Sequence, residues 1–366
     1  MAKKKILVIG QTPPPYGGQA MMIERTLKGD YGEDIELFHI RMKFSKEMSN
    51  VGKFELGKVF HLFQILILAY YYRFFLNTTV LYYFPAGPRT IPIIRDIFIL
   101  GFVRPLFGKV IFHFRAAGIS EYIASQNKYY QTLLKIIYSK PDIGIRLSEY
   151  TPGDDKYLGA KKSFIVYNGI EDFLTSNNPK QVNSDKIKLI YLGVINRSKG
   201  IFELIHSFNY LESDNIELNL IGQIESDEIN KELSLLIEKN NLHNKVKLLG
   251  VLTGSDKFNV LFNSDIFVFP SYFESEGLPG AILEAMCFSK PVVATNWRGI
   301  PSLVSNNENG FLVPIKSADK IAEKIDLLIK DETLRRKFGE KSREIFLEKF
   351  TIDKFYRNMK MVFKAI

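Results

Sequence analysis

Residues 265–295 read DIFVFPSYFESEGLPGAILEAMCFSKPVVAT. The runs at 265–269 and 291–295 are apolar, rich in β-branched residues and of strand length. Between them lie a loop and a helix-forming segment that begins near Pro279, a residue suited to the first turn of a helix. A strand, a helix and a second strand in this order predict a βαβ unit with parallel strands, and hence an α/β protein.

The same alternation of strands and helices extends from this stretch in both directions. In the first half of the chain, the predicted strands lie at 5–9, 35–40, 79–84, 109–114, 142–147 and 164–167. In the second half they lie at 187–192, 216–221, 246–249, 265–269 and 291–295. Each series is long enough to form its own doubly wound parallel sheet.

The length of 366 residues favours two domains. We expect a Rossmann-like N-terminal domain at 1–176 and a Rossmann-like C-terminal domain at 183–350, separated by a polar stretch at 177–179. Helical periodicity continues from 319 to the end, so a terminal helix at 352–366 is expected to pack back on the first domain. Ligands of such sheets bind beyond the carboxyl ends of the strands.

Cysteine content and charge limit the classes of protein. Cys287 is the only cysteine, which excludes a disulfide within the chain and a cysteine metal cluster, and favours the cytoplasm. Residues 1–170 hold 23 Lys or Arg and 13 acids, whereas 171–366 hold 26 and 27. The basic half fits plain surface variation, an anionic membrane surface or a diphosphate-bearing acceptor. Nucleic acid is disfavoured, because the basic residues are dispersed among apolar ones.

The segment 59–76, VFHLFQILILAYYYRFFL, is the most apolar part of the sequence. His61, Gln64 and Arg73 interrupt it, so it does not resemble a membrane span. Two interpretations stay open: a buried helix, or a helix lying in a membrane interface with Lys53, Lys58 and Arg73 nearby. The segment 91–107 is a weaker candidate of the same kind.

Three loops carry the candidate chemistry. Gly17 and Gly18 follow the first strand at the entrance of a helix, where backbone amides can approach an anion; a plain turn explains them equally well. Arg197 and Lys199 precede a helix at Ile201, where an anionic ligand or a solvated loop would accommodate two cations. Glu276 lies in the loop before a helix that contains Glu284.

The last of these loops resembles the retaining, sugar-nucleotide-dependent transferases of glycosyltransferase family 4. Their E-x7-E pattern appears here as Glu276 and Glu284 within EGLPGAILEAMCFSKPVVAT. The similarity covers nearly the whole chain and includes five further segments: PPPYGG (13–18), NGI (168–170), KG (199–200), SD (264–265) and NGFLVP (309–314). It implies the GT-B fold, with two Rossmann-like domains facing across a cleft that holds donor and acceptor.

The resemblance also implies roles for individual residues. Lys199, helped by Arg197, would neutralise the donor diphosphate, and Glu284 would hydrogen-bond the ribose. Glu276 would lie at the donor sugar. Backbone amides after Leu278 and around Gly17 and Gly18 would complete the phosphate cradle. The loop residues Gly277, Leu278 and Pro279 are also expected to lie at the donor. His113 or Arg115, in the sequence HFRAAG, corresponds to a histidine near the sugar, and His113 is the favoured candidate.

The expected activity is the transfer of a hexose-type sugar, with retention, to a glycan or lipid-linked glycan of a bacterial surface polysaccharide. The chain contains no Asp-x-Asp pair, so we expect no metal and no cofactor, with Lys199 acting in place of a divalent cation. The family often has Arg where Val194 stands, so Arg197 is expected to supply that charge. A sugar-nucleotide epimerase and a non-catalytic transferase-like partner remain as alternatives.

Overall fold

The computed structural model describes residues 3–14, 17–43, 56–177, 179–182 and 184–366. Some expected features lie outside these residues: part of the PPPYGG loop, Lys53, Asn178 of the polar stretch and residue 183 at the expected domain start. The chain divides into two compact units. The first comprises Met1–Asn168 and Asp353–Ile366, and the second comprises Gly169–Ile352.

The first unit is built on six parallel strands in the order β2-β1-β3-β4-β5-β6. The strands are β1 (Lys4–Gly10), β2 (Ile35–Arg41), β3 (Val80–Tyr83), β4 (Lys109–Phe114), β5 (Ile143–Arg146) and β6 (Lys162–Ile165). Its helices are α1 (Gly18–Lys28), α2 (Leu56–Phe75), α3 (Thr90–Val103), α4 (Ile119–Ser125), α5 (Lys128–Tyr138) and α6 (Asp154–Tyr157). All six strands lie where the sequence predicts them, although β6 begins two residues before its apolar run.

The second unit repeats this plan with a sheet in the order β12-β11-β10-β7-β8-β9. Its strands are β7 (Ile187–Leu192), β8 (Ile216–Ile221), β9 (Val246–Gly250), β10 (Ile266–Phe269), β11 (Val292–Thr295) and β12 (Gly310–Val313). Its helices are α7 (Phe173–Asn177), α8 (Ile201–Ser207), α9 (Asp227–Lys239), α10 (Gly254–Phe262), α11 (Gly280–Cys287), α12 (Ala318–Lys330) and α13 (Glu332–Ile345).

The sequence does not predict β12. This strand has four residues and begins with Gly310, a residue type that indicates a turn more often than a strand. In the structure a Cβ at Gly310 would lie 2.0 Å from the carbonyl oxygen of Val292. The close approach of β12 to β11 therefore requires glycine at position 310, and this same glycine made the strand hard to predict from the sequence.

The terminal helix, α14 (Ile352–Ala365), packs on the first unit, as expected. The Nζ of Lys4 donates to the carbonyl oxygens of Phe363 and Ile366, each at 3.0 Å. The ring of Phe363 meets Tyr31 edge-on at 4.8 Å between centroids. Hydrogen bonds and ring packing thus hold the last residues of the chain against its first strand.

The apolar segments fall on helices of the first unit. The segment 59–76 lies in α2, and 91–107 covers most of α3 and the short 3-10 turn at Arg104–Leu106. Across the described residues, no helix combines the length and apolar character needed to cross a membrane.

Candidate functional site

The loop after β7 carries Lys199 at the carboxyl edge of the second sheet. The side chain of Asn196 accepts a hydrogen bond from the Lys199 N–H at 2.9 Å and so caps the 3-10 turn Arg197–Lys199. Gly200 follows in the left-handed region, with φ +74°, and a Cβ there would lie 2.1 Å from the carbonyl oxygen of Pro270. Only glycine permits the β7 loop to approach the end of β10 so closely.

The loop after β10 is fastened to both neighbouring strand ends. Its Tyr272 N–H donates to the carbonyl oxygen of Ser198 at 2.8 Å. The Thr295 hydroxyl, at the end of β11, donates to the carbonyl oxygen of Ser271. The indole N–H of Trp297 donates to the carbonyl oxygen of Phe273 at 2.8 Å. These bonds fix the backbone that presents Glu276.

Lys199 and Glu276 form an ion pair at this edge of the sheet. Lys199 Nζ lies 2.6 Å from Glu276 Oε2, and the Ser271 hydroxyl donates to the same oxygen at 2.6 Å. Glu276 is 7% exposed, and the Lys199 ammonium lies 4.7 Å from the centroid of the Phe273 ring. The structure therefore brings together two residues that are 77 positions apart, in surroundings where charges interact strongly.

Gly277, Leu278 and Pro279 lead from Glu276 into α11. Pro279 is the N-cap of this helix, and its first residues carry N–H groups that helix geometry leaves without an intrahelical acceptor. These donors begin four residues after Glu276, in the same loop. They could bind an anion placed beside the Lys199 ammonium.

Glu284 lies in the second turn of α11 and pairs with Lys257 of α10. Lys257 Nζ lies 2.8 Å from each oxygen of the Glu284 carboxylate, and both side chains are mostly buried. Lys257 thereby fixes the orientation of the carboxylate that the sequence assigns to a ribose.

Arg197 points elsewhere in the structure. Its guanidinium pairs with Glu232 of α9 and lies 4.5 Å from the centroid of the Phe202 ring. Its expected contact with a diphosphate stays a prediction, which requires the pair with Glu232 to open.

The remaining candidates lie in the first unit. Gly17 is the N-cap of α1 in an extended conformation, and a Cβ on Gly18 would meet no atom within 4 Å. The backbone at the start of α1 is thus uncovered at Gly18, which is compatible with the expected anion contact.

His113 is fully buried in the first unit. Its Nδ1 lies 2.7 Å from the Tyr82 hydroxyl, and its Nε2 has no hydrogen-bond partner among the described residues. Burial and the nearby charge of Arg115 hold the pKa of His113 well below its ordinary value. The imidazole is therefore neutral, and its expected place at the sugar stays a prediction.

Arg115, the alternative to His113, is also buried. Its Nη1 donates to Asn168 Oδ1 at 2.6 Å, and its guanidinium lies 5.7 Å from the centroid of the Phe84 ring and 5.9 Å from that of Phe355. Burial lowers the pKa of Arg115 to about 10. These contacts tie the end of β4 to Asn168 and α14.

Two residues of the site, Ser271 and Lys257, could not be recognised as site residues from the sequence. Ser271 directly follows Pro270, and nothing in its spacing marks it as a partner of Glu276. Lys257 lies on a helix whose position relative to α11 depends on the tertiary fold. Within the described parts of the chain, no three His, Cys, Asp or Glu side chains are grouped to hold a metal ion.

Comparisons with known proteins identify similar sequences and folds. Residues 172–345 match the family model "Glycosyl transferases group 1". The capsular polysaccharide biosynthesis glycosyltransferase CapM of Staphylococcus aureus is 33% identical over 207 residues, which cover 54% of this chain and 53% of CapM. The chain spans less than two thirds of the length of the curated relatives that it matches first.

Solved structures resemble the whole chain. A sucrose-phosphate synthase from Thermosynechococcus elongatus has a TM-score of 0.75 at 18% identity, over 99% of this chain and 98% of that one. HepE from Anabaena, solved with UDP, has a TM-score of 0.74 at 16% identity, over 99% and 100%. These similarities show the fold. Residues 172–345 are therefore similar to glycosyl transferases group 1, within a chain that has the GT-B fold.

Proposed function

We propose that this chain transfers a hexose-type sugar from a nucleotide diphosphate sugar to a glycan or lipid-linked glycan, with retention of the anomeric configuration. The observation that carries the proposal is the pair of Lys199 and Glu276 at the carboxyl edge of the second sheet. A cation and a carboxylate held this closely, next to the start of a helix, suit a reaction in which a diphosphate leaves a sugar.

Lys199 and the first amides of α11 act on the leaving group. As the bond between the anomeric carbon and the phosphate oxygen breaks, negative charge grows on the diphosphate, and donors already in place stabilise it without rearrangement. Glu276 then contacts the sugar hydroxyls or the positive charge at the anomeric carbon. When a donor arrives, Lys199 exchanges part of its contact with Glu276 for the diphosphate.

Glu284 binds the ribose in this proposal, with Lys257 as the residue that positions it. The Glu284 carboxylate is only partly exposed and both its oxygens lie close to one ammonium. A ribose diol would therefore meet a carboxylate of fixed orientation. Fixed geometry reduces the conformational entropy lost on binding.

Retention follows from attack on the same face of the sugar that the diphosphate leaves. The acceptor oxygen bonds to the anomeric carbon while its proton passes to a phosphate oxygen, so no separate protein base is required. Lys199 supplies the positive charge that a divalent metal would otherwise bring, so we propose transfer without a metal. No cofactor takes part.

The relatives support a role in bacterial surface polysaccharide assembly. CapM is named for capsular polysaccharide biosynthesis, and HepE was solved with UDP. Uridine diphosphate sugars are accordingly the first donors to test.

The test is thermal unfolding of the protein with sugar nucleotides of uridine, guanosine, adenosine and thymidine diphosphate. A ligand at about a hundred times its dissociation constant adds about 2.7 kcal/mol to the free energy of unfolding. We expect selective stabilisation by one nucleotide, lost in Lys199→Ala and Glu284→Ala and kept in Lys245→Ala. Lys245 pairs with Asp214 at 2.6 Å away from these loops and serves as the matched control.

Three results would overturn parts of the proposal. Stabilisation by no donor would favour a non-catalytic partner protein. A changed sugar still attached to its nucleotide, formed without acceptor, would identify an epimerase. Activity lost with a chelator and restored by manganese or magnesium would contradict transfer without a metal.

A further inference from the structure

Three helices cover the same face of the first sheet. Right-handed crossovers carry the chain from β2 to β3, β4 and β5 in spatial order, which places α2, α3 and α5 side by side. Their inner residues enter one core with the strands; these include Ile65 and Ala69 of α2, Ile93 and Ile99 of α3, and Leu134 of α5. The rings of Phe63 and Phe98 join α2 to α3 at 5.7 Å between centroids. The helices therefore lie flat on the sheet, and their outer sides face away from it.

These outer sides are apolar. The exposed large apolar residues on them are Phe60, Phe63, Ile67, Leu68, Tyr70, Tyr71, Phe74 and Phe75 of α2, Ile91, Ile94 and Phe102 of α3, and Tyr129, Leu133 and Ile136 of α5. We call this set the outer apolar face. Phe75 is 76% exposed and Tyr129 is 91% exposed.

The outer apolar face is larger than a monomeric protein normally leaves in water. A fully exposed aromatic side chain presents about 200 Å², so the eight aromatic residues of the face together expose roughly 1,000 Å². The largest apolar patch on a typical monomer is about 300–600 Å², and larger ones mark interaction surfaces.

The charge around the face is predominantly positive. Residues 56–140 hold ten Lys or Arg and two acids, a net charge of +8. Of the two acids, Asp96 is fully buried and accepts hydrogen bonds from the Tyr83 and Tyr138 hydroxyls and from Arg95. Glu121 is thus the one acid of this segment that reaches the surface. Among the described side chains of this segment, the exposed basic residues are Arg89, Lys109, Lys128, Lys135 and Lys140.

We propose that the outer apolar face docks the protein on an anionic lipid bilayer. Aromatic and aliphatic side chains would enter the boundary between headgroups and acyl chains, and the lysines beside them would contact anionic headgroups. Tyrosine suits this depth, because its ring is apolar and its hydroxyl remains hydrated. The sequence left open whether the segments of α2 and α3 are buried or interfacial; the structure joins their outer sides to that of α5 in one surface.

Charge argues against a second copy of the chain as the occupant. Two such faces brought together would also bring together the basic residues beside them, such as Lys128 and Lys135 of α5, and like charges across an interface oppose association. An anionic bilayer instead offers complementary charge. The proposal does not depend on sugar transfer, since it uses none of the residues of the second unit.

Vesicle flotation of the full chain tests it, with phosphatidylcholine vesicles that contain either no anionic lipid or about a third phosphatidylglycerol. The face variant is Ile67→Glu with Phe74→Glu, two exposed positions on α2. The matched control is Leu235→Glu with Val251→Glu, two positions of similar exposure in the second unit. The charge variant is Lys128→Glu with Lys135→Glu on α5.

We expect the wild type and the control to float with anionic vesicles and to partition at least tenfold less onto neutral ones. The face variant should lose at least tenfold in its partition coefficient, and the charge variant should lose its preference for anionic lipid. Since all substituted side chains are exposed, circular dichroism should show equal folding.

The proposal is overturned if the wild type does not float, if it floats equally with neutral vesicles, or if the face variant floats like the control. Light scattering without vesicles measures whether the protein is a dimer, and so tests a second copy of the chain as the alternative occupant of the face. A dimer that the face variant abolishes would show that a second copy covers this surface instead.

Discussion

Lys199 Nζ lies 2.6 Å from Glu276 Oε2, and the two residues come from loops that follow neighbouring strands, β7 and β10. Neither loop positions its residue alone. Gly200 lets the β7 loop approach Pro270, and the Tyr272 N–H joins the β10 loop to Ser198. The ion pair is therefore a property of the sheet edge, and its energetic and kinetic consequences can be measured separately.

Lys199→Ala should lower kcat/KM for the donor by about 10²–10³, because a preorganised donor to the growing charge contributes about 3–4 kcal/mol. Lys199→Arg should recover part of this loss. Steady-state kinetics with the donor found in the thermal screen measures both. Lys245→Ala is the control, and a Lys199→Ala enzyme as active as this control would exclude Lys199 from the reaction.

Lys257→Met should weaken nucleotide binding, because it frees the Glu284 carboxylate from its fixed orientation. We expect a loss of about three- to tenfold, and less than additive losses when Lys257→Met is combined with Glu284→Gln, because contacting residues couple. Titration calorimetry with the nucleoside diphosphate measures the four affinities of this cycle. Fully additive losses would show that Lys257 does not act through Glu284.

Gly200→Ala should destabilise the second unit by about 3 kcal/mol or more, because it combines a left-handed backbone with a backbone clash. Urea unfolding followed by the fluorescence of Trp297, the single tryptophan, measures this change. Gly280→Ala is the matched control. A Cβ there meets no atom within 4 Å, so a change within about 0.5 kcal/mol is expected. Equal effects at both glycines would contradict the close packing of the two loops.

His113 should make the first unit less stable as the pH falls. Its folded pKa is lowered by burial and by Arg115, so below about pH 6.5 the unfolded chain binds a proton that the folded chain does not. The contribution of neutral His113 to the free energy of unfolding is complete above that pH. Below it, this contribution falls by about 1.4 kcal/mol per pH unit. Hydrogen exchange of β4 between pH 7 and 5.5 measures it.

His113→Gln should flatten this pH dependence relative to the wild type. His206→Gln, exposed in the second unit, is the control and should leave the exchange of β4 unchanged. An unaltered pH dependence in His113→Gln would show that the folded and unfolded chains bind the His113 proton over the same pH range, contrary to a pKa lowered by burial.

The sequence by itself predicted both parallel sheets and placed Glu276 in a loop before a helix that contains Glu284. The α/β class, eleven of the twelve strands, the terminal helix on the first unit and the Glu276–Glu284 spacing are local patterns of apolar periodicity, turn residues and motif. Such patterns depend on neighbours in the chain, so they can be read without the fold. The exception is β12. It begins with Gly310, and glycine is required there because the backbone of β11 lies too close for a side chain.

Tertiary structure alone decided which side chains meet. Lys257 is the partner of Glu284 because the fold brings α10 and α11 together at these two side chains. Ser271 meets Glu276 because the loop after β10 folds back on itself. Arg197 pairs with Glu232, and His113 lies in the core beside Tyr82. Whether α2 was buried or superficial also depended on the fold, since an apolar helix has the same sequence pattern in both cases. Its inner side fills the core and its outer side remains uncovered, and only the placement of the helix on the sheet distinguishes the two.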